Sequence, residues 1–360
     1  MPAVKAAKPN EIFGREDWKR LTTVSSWRGL WLIAHGWAVV LIAAGGAAWA
    51  WQWHWLAGLA ATPLALAIIG GRQLGLAILM HEAAHGLSHP DRKLNNFAGD
   101  WLSGSAVGSD LQSYRAYHLT HHRFTQQAED PDLPLSAPFP TSRASLRRKF
   151  LRDLTGQTFF KQRKAQIGLA LIGLSAWLTG ERGGKPGKRD AAAGTPFNKQ
   201  QPKSGALGGI SAPVDAMDRD MTGPIAVAAT LGRFLVVQAV LILLSLASGL
   251  GMLPYLIWLA ALATTFQLFL RVRNIAEHAC TTTGGDDPFT HARTTYAGWT
   301  ARATVAPYWV NFHSEHHLFM GVPCYNLAEA HRLLLAGGHD ARMTIAPDYR
   351  SVLRLVTATA

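Results

Sequence analysis

In Gly75-Leu-Ala-Ile-Leu-Met-His81-Glu-Ala-Ala-His85 an apolar run of membrane length ends directly on two histidines. Two further clusters follow, His118-Leu-Thr-His121-His122 and His313-Ser-Glu-His316-His317. Eight of the fifteen histidines lie in these three boxes. At this histidine frequency one HxxHH is expected by chance on the order of 0.03 times, so two of them mark a site. On a helix, spacings of three and four put side chains on one face. Neutral imidazole suits iron, copper and zinc. Each box can therefore present two or three nitrogens to one point.

The composition around the boxes is that of an integral membrane protein. Of 360 residues 48% are hydrophobic and only 16% charged, below the roughly 25% of a soluble domain. Trp27, Trp31, Trp37, Trp49, Trp51, Trp53 and Trp55 crowd the first apolar run and its exit, as expected of a membrane interface. The net charge is +12. Its distribution points to a membrane and away from nucleic acid. Lys and Arg cluster in 1–28, 92–219 and 271–354, while the turns near 50–55 and 248–253 carry none. This positive-inside pattern puts both termini and the long middle segment in the cytoplasm, with the inner (plasma) membrane as the expected location. The first 25 residues hold no secretory apolar core, so the first span is expected to serve as its own insertion signal.

Four spans are expected, at about 29–50, 56–80, 225–248 and 253–272, with the last helical pattern continuing to His278. They read as two antiparallel hairpins, the first closed by a turn of about five residues. Counted to His85, the second helix is about 45 Å long, against a hydrocarbon core of about 30 Å. The fourth, counted from 253 to 278, is about 39 Å. Both must project into the cytoplasm and hold side chains above the bilayer. The fold class is thus all-α, with four transmembrane helices and a cytoplasmic helical cap around a histidine-rich di-metal site. By domain, 1–28 is a cytoplasmic N-terminal segment, 29–335 the membrane domain and 336–360 a cytoplasmic tail. Residues 94–113, mixed apolar and small, read as dipping into the interface, and 166–178, too short to span, as interfacial or re-entrant. Residues 181–224, rich in Gly, Pro, Lys and Asp, read as a flexible basic loop or a lid.

Counting donors narrows the metal. His81, His85, His118, His121, His122, His313, His316 and His317 are too many for one structural zinc, which takes four ligands and favours cysteine. They suit two metals with open positions. His278, closing Arg271-Val-Arg-Asn-Ile-Ala-Glu-His278, is expected as a ninth ligand, and Asn274, one turn earlier, as a group that reaches a metal directly or through water. His89 is followed by Pro90 and reads as structural; His35, His54, His291, His331 and His339 are isolated. Glu82, Glu277, Glu315, Asp130 and Asp132 lie close enough in sequence to orient imidazoles through their second nitrogen. Cys280 and Cys324 form no CxxC and carry no expected role. Arg72 and Arg233 lie inside apolar runs, as functional groups or as snorkelling cations. The basic stretch 143–164 suits anionic lipid headgroups or an acidic partner.

These boxes, with two membrane hairpins, resemble the membrane fatty acid desaturase and hydroxylase superfamily over roughly 28–335. Asp130-Pro-Asp132 after the second box, Asn274-x-x-x-His278 before the third, and the Pro323-Cys-Tyr325-Asn-Leu327 continuation add to the likeness. The resemblance implies two iron ions, O2 as co-substrate and abstraction of hydrogen from an unactivated C–H bond. It implies electrons from a separate carrier such as a ferredoxin or cytochrome, since no fused carrier domain is visible. The three-residue spacing in His81-x-x-x-His85 resembles acyl-lipid and sphingolipid-type desaturases more than the acyl-CoA type. The expected activity is therefore O2-dependent desaturation of an acyl chain in a lipid. A hydroxylase or ketolase acting on a fatty acyl chain, carotenoid or other lipid would share the scaffold. A metal transporter or sensor would be expected to carry ionisable groups near mid-bilayer, where these spans have almost none.

Overall fold

The computed structural model describes residues 3–179 and 223–358. A short helix α1 (Arg15–Thr22) precedes α2 (Arg28–Trp53) and α3 (Trp55–Ala84). Then come α4 (Arg92–Gly99), a π-helical turn at Asp100–Gly104, α5 (Ser105–Val107), α6 (Leu111–Phe124), α7 (Leu133–Ser136), α8 (Arg143–Leu154) and α9 (Gln157–Leu178). After the basic stretch, α10 (Pro224–Ala247) leads to α11 (Leu253–Ala263) and α12 (Thr265–His278). The rest is strand β1 (Arg293–Thr295), α13 (Trp299–Ala303), α14 (His313–Leu318), α15 (Leu327–Ala336), strand β2 (Thr344–Ala346) and α16 (Tyr349–Leu355). Apart from Gly223 and Pro224, the expected loop 181–224 lies almost wholly outside the described residues.

Among the described residues, four segments are long and apolar enough to cross a membrane, Arg28–Trp53, Trp55–Ala84, Pro224–Ala247 and Leu253–His278. The expected five-residue turn between the first two shrinks to one residue. Nothing in 49–55 breaks a helix, so α2 continues through Trp53. Only His54 is extended (φ −162°), and its Nδ1 accepts the Leu56 N–H at 3.2 Å as an N-cap. The last span is interrupted at Thr264 (φ −123°, ψ −84°), and Thr265 Oγ1 donates to Leu66 O of α3 at 2.6 Å.

The α3 helix is the central pillar: 67% of its most apolar window is buried, against 28% for α2 and α10. Small residues let the helices approach closely, with Ala44, Ala47 and Ala48 of α2 against Ala65 and Ile69 of α3 and Ala261 of α11. Two buried glutamines act as interhelical glue. Gln73 Nε2 donates to Trp258 O at 2.9 Å, and Trp258 Nε1 donates to Gln238 Oε1 at 3.1 Å. The outer faces of α2 and α10 leave Leu41, Ile42, Leu243 and Leu244 exposed, a surface suited to lipid.

Two expectations need correcting. Residues 166–178 are not a separate short segment but the second half of the 22-residue α9, which packs along α10. Every third or fourth residue of α9, from Phe159 through Gln162, Arg163 and Gln166 to Ala170, is buried. Nor is the fold purely helical. β1 and β2 pair in parallel, Arg293 with Thr344 and Thr295 with Ala346. That pairing brings Arg293 under the end of α12, where its guanidinium donates to Ala276 O at 3.1 Å and Ala279 O at 2.7 Å. These are carbonyls that a helix end leaves free, so the small sheet fixes the direction in which His278 leaves α12.

Candidate metal centre

The histidines converge on two points. His81, His85, His118, His122 and His316 form one group, and His121, His278, His313 and His317 the other, with ligand atoms of each group within 4.8 Å of one another. The HxxHH spacing explains the sharing. In the second box, residues i and i+4 (His118, His122) serve the five-histidine group and i+3 (His121) serves the other. In the third box i and i+4 (His313, His317) serve the four-histidine group and i+3 (His316) the first. The His122 and His317 rings, 4.2 Å apart at their centroids, link the two.

The end of α3 supplies His81 and, at its C-cap, His85; α6 supplies the second box, the last residue of α12 supplies His278, and α14 the third box. The α6 helix starts under an Asp110 cap that accepts the Ser113 N–H at 2.7 Å. Arg115 of α6 donates to Ala83 O and Ala84 O at 2.9 and 2.8 Å. The first two boxes are thereby locked together by the free carbonyls at the end of α3.

The protonation pattern of the four-histidine group fits a cation. His121 Nδ1 donates to Asp130 Oδ1 at 2.8 Å, and His278 Nδ1 donates to His291 O at 3.0 Å. His313 Nδ1 lies 3.3 Å from Glu277 Oε1. His317 Nδ1 lies 3.3 Å from Thr125 Oγ1, whose own hydrogen goes to His121 O at 2.8 Å. Each Nδ1 has an oxygen within 3.3 Å, which leaves the four Nε2 atoms facing inward. Yet His313 and His278 Nε2 are 2.8 Å apart, His317 and His313 3.1 Å, and His121 and His317 3.3 Å. Where these rings are neutral with the proton on Nδ1, the facing Nε2 lone pairs repel unless a cation sits between them. Ligands about 2.1 Å from one metal and at right angles lie about 3.0 Å apart, which matches.

In the five-histidine group, His122 Nε2 is 2.9 Å from His118 Nε2 and 3.0 Å from His316 Nε2. Both nitrogens of His81, and Nε2 of His85, are buried with no hydrogen-bond partner. Such orphaned polar atoms are costly in a protein interior, and the donor set, all imidazole, fits iron or another borderline metal. Burial first, and neighbouring imidazoles second, hold His118, His122, His316, His313 and His317 well below the usual histidine range. Burial, with Arg115, brings His85 down to about 4. His121 differs. Burial lowers it, but Asp130, Asp132 and Glu277 together outweigh burial and raise it to about 9.

The other expected site residues fall as follows. Asn274 lines a small, partly open pocket beside the four-histidine group, with Tyr114, Asp132, Arg273 and Glu277, and its Oδ1 accepts from Arg273 at 3.2 Å. Asp132 Oδ2 is 3.8 Å from His121 Nδ1, and Asp132 Oδ1 takes the Tyr117 hydroxyl. Glu82 is 3.5 Å from His81 Nδ1 but accepts the Cys324 N–H at 2.7 Å. Glu315 turns away from the ligands, to Thr294 Oγ1 at 2.5 Å and His331 Nδ1 at 2.6 Å, so His331 is not isolated. His89 Nδ1 accepts the Asp91 N–H at 2.9 Å, a structural role. Sequence reasoning missed Thr125 and the carbonyl of His291. Thr125 one turn after His121 was the only available signal.

A family model described as fatty acid desaturase matches residues 53–348, most of the chain and all three boxes. The chain belongs to the fatty acid desaturase family. Comparison with curated proteins finds no match. Membership, with four membrane-length helices, makes this desaturase-family chain an integral membrane protein and implies an oxidoreductase acting on fatty acids.

Proposed function

We propose that this chain is an O2-dependent membrane desaturase that uses two iron ions to introduce a double bond into an acyl chain of a lipid. The observation that carries the reading is the sharing of each HxxHH box between two histidine groups whose inward nitrogens lie 2.8–3.3 Å apart. His81, His85, His118, His122 and His316 hold one metal. His121, His278, His313 and His317 would hold the other, with Asn274 placed to reach it directly or through water.

When bound, the irons supply two-electron activation of O2 and the power to remove hydrogen from an unactivated C–H bond. Overall, –CH2–CH2– with O2, two electrons and two protons gives –CH=CH– and two waters. The chain's own residues prepare for this. Asp130, Glu277, Thr125 and the His291 carbonyl fix the tautomer and tilt of four imidazoles. Burial keeps the ligands other than His121 neutral and the centre dry. The two hairpins present the site at the cytoplasmic face, where α3 and α12 rise beyond the hydrocarbon layer. The 1–28 segment and the 336–360 segment are cytoplasmic on this reading, and 29–335 is the catalytic domain. Electrons arrive from a separate carrier such as a ferredoxin or cytochrome, for which the exposed Arg147, Arg148 and Arg152 of α8 offer a basic face.

Mass spectrometry of lipids from a host expressing the chain tests the reaction. Acyl chains lighter by two hydrogens support desaturation. Chains heavier by one oxygen would instead make the enzyme a hydroxylase or ketolase. Unchanged lipids in cells where the carrier and iron are supplied would reject both.

A further inference from the structure

Arg72 lies within a membrane-length helix, and neither the metal site nor the proposed chemistry uses it. It is only 7% exposed, so it does not snorkel into open water. Its Nη2 donates to Arg302 O at 2.8 Å and Ala303 O at 3.2 Å, and its guanidinium carbon sits 5.2 Å from the centre of the Tyr308 ring. These carbonyls belong to the C-terminal end of α13, where a helix leaves carbonyls free. A cation inside α3 thus caps a helix from the segment that leads into the third histidine box.

The contact fixes the level of α13 relative to α3. A Cβ at Gly71 would lie only 2.1 Å from Ala303 O, so glycine is required there for the two backbones to meet. Trp49, Trp53 and Trp55, exposed by 61, 73 and 58%, mark the far membrane boundary at the α2–α3 junction. From Trp55 to Gly71 is about 24 Å of helix, less than the roughly 30 Å of hydrocarbon. Tilting α3 only reduces that depth. The C-terminal end of α13 therefore meets α3 below the near boundary, inside the apolar layer or at its edge. Trp299, one turn away, is 83% exposed. The nearby cation, Arg302, has its Nε satisfied by Ala297 O at 3.1 Å and can reach outward to the headgroups.

We propose that α13 is a membrane-inserted foot of the third histidine box. Trp299 is embedded among lipid at the inner boundary, and Arg72 holds the foot from within α3. The partner is the bilayer itself, because α13 meets α3 at a depth within the apolar layer and leaves Trp299 exposed there. The inference rests on α3 spanning the membrane and not on the redox reading.

A nitroxide scan in nanodiscs tests it without any assay of turnover. In a Cys280→Ser background, labels are placed at Trp299→Cys and, as a second position, Thr300→Cys. Reference labels go at Leu243→Cys on the exposed face of α10 and at Arg350→Cys on α16. Power-saturation spectra compare collisions with O2, which enters lipid, and with a water-soluble nickel chelate. At 299 the label is expected to favour O2 as at 243, and adding Arg72→Gln is expected to raise its nickel collisions. A label at 299 as open to nickel as at 350 would overturn the proposal. So would one closed to both probes, which means α13 is covered by protein. If the Arg72→Gln protein does not fold, the comparison of 299 and 300 with 243 and 350 still decides.

Discussion

The two histidine groups are built by different means. The five-histidine group relies on ligand number. Its His122 and His316 leave Nδ1 buried without a hydrogen-bond partner, as does His81, whose nearest carboxylate oxygen is 3.5 Å away. The four-histidine group relies on orientation, with an oxygen within 3.3 Å of every Nδ1. A site with a ligand to spare tolerates loose rings. A site with fewer ligands must aim each of them.

The largest effects come from the ligands, and there the groups should part company. His278→Ala and His85→Ala should each cut turnover below about one hundredth, since each empties or distorts one half of the proposed two-metal site. Iron content should separate them. His278→Ala should fall to about one iron per chain, while His85→Ala, with four imidazoles left in its group, should keep about two. Equal loss in both variants would break the comparison.

Next come the residues behind the ligands. Asp130→Asn puts an amide where His121 expects a carboxylate. It should weaken metal binding at the four-histidine group by about 10–100-fold, read by chelator competition. Glu82→Gln, beside the five-histidine group, should change affinity far less. The reverse order would mean that orientation matters more where ligands are plentiful.

The pH dependence of the metal-free protein sharpens the contrast further. His121, raised to about 9, is charged at neutral pH, whereas His85, lowered to about 4, is neutral. A raised pKa stabilises the fold fully below the unfolded value near 6.5 and less as pH climbs through about 9. Metal-free protein should therefore lose stability between about pH 6.5 and 9. Over the same window metal affinity of the four-histidine group should rise, because binding must expel the His121 proton. Proton release in a weakly buffered titration, about one per chain at pH 7.5 in wild type and near zero in Asp130→Asn, checks this.

The smallest effect is at the protein surface. Reversing Arg147, Arg148 and Lys149 to Glu should raise the carrier concentration needed for half-maximal turnover by several-fold at low salt. The defect should vanish near physiological ionic strength, where screening acts over about 8 Å. A defect independent of salt and carrier but sensitive to lipid charge would assign the face to the membrane.

Much of this was legible in the sequence because histidine spacing and hydrophobic run length are local signals. The boxes, the four membrane-length helices and the inclusion of His278 follow from them. What escaped depended on tertiary contact. Lys149 and Arg163 look alike within a basic stretch, yet Arg163 turns inward to donate to Val107 O at 2.9 Å while Lys149 lies over the Phe139 ring. Glu277 and Glu315 both neighbour ligands, but only Glu277 meets one, since Glu315 is claimed by His331. The one-residue break at His54 depended on a side chain capping its own helix, and Thr125 and the His291 carbonyl reach their imidazoles only once the loops are closed.

Iron K-edge X-ray absorption on purified, iron-loaded protein tests the central claim most directly. Two irons per chain, each surrounded by about four to five imidazole nitrogens near 2.1 Å with no sulfur neighbour, are predicted. A single iron per chain, or a first shell containing sulfur, would contradict the account.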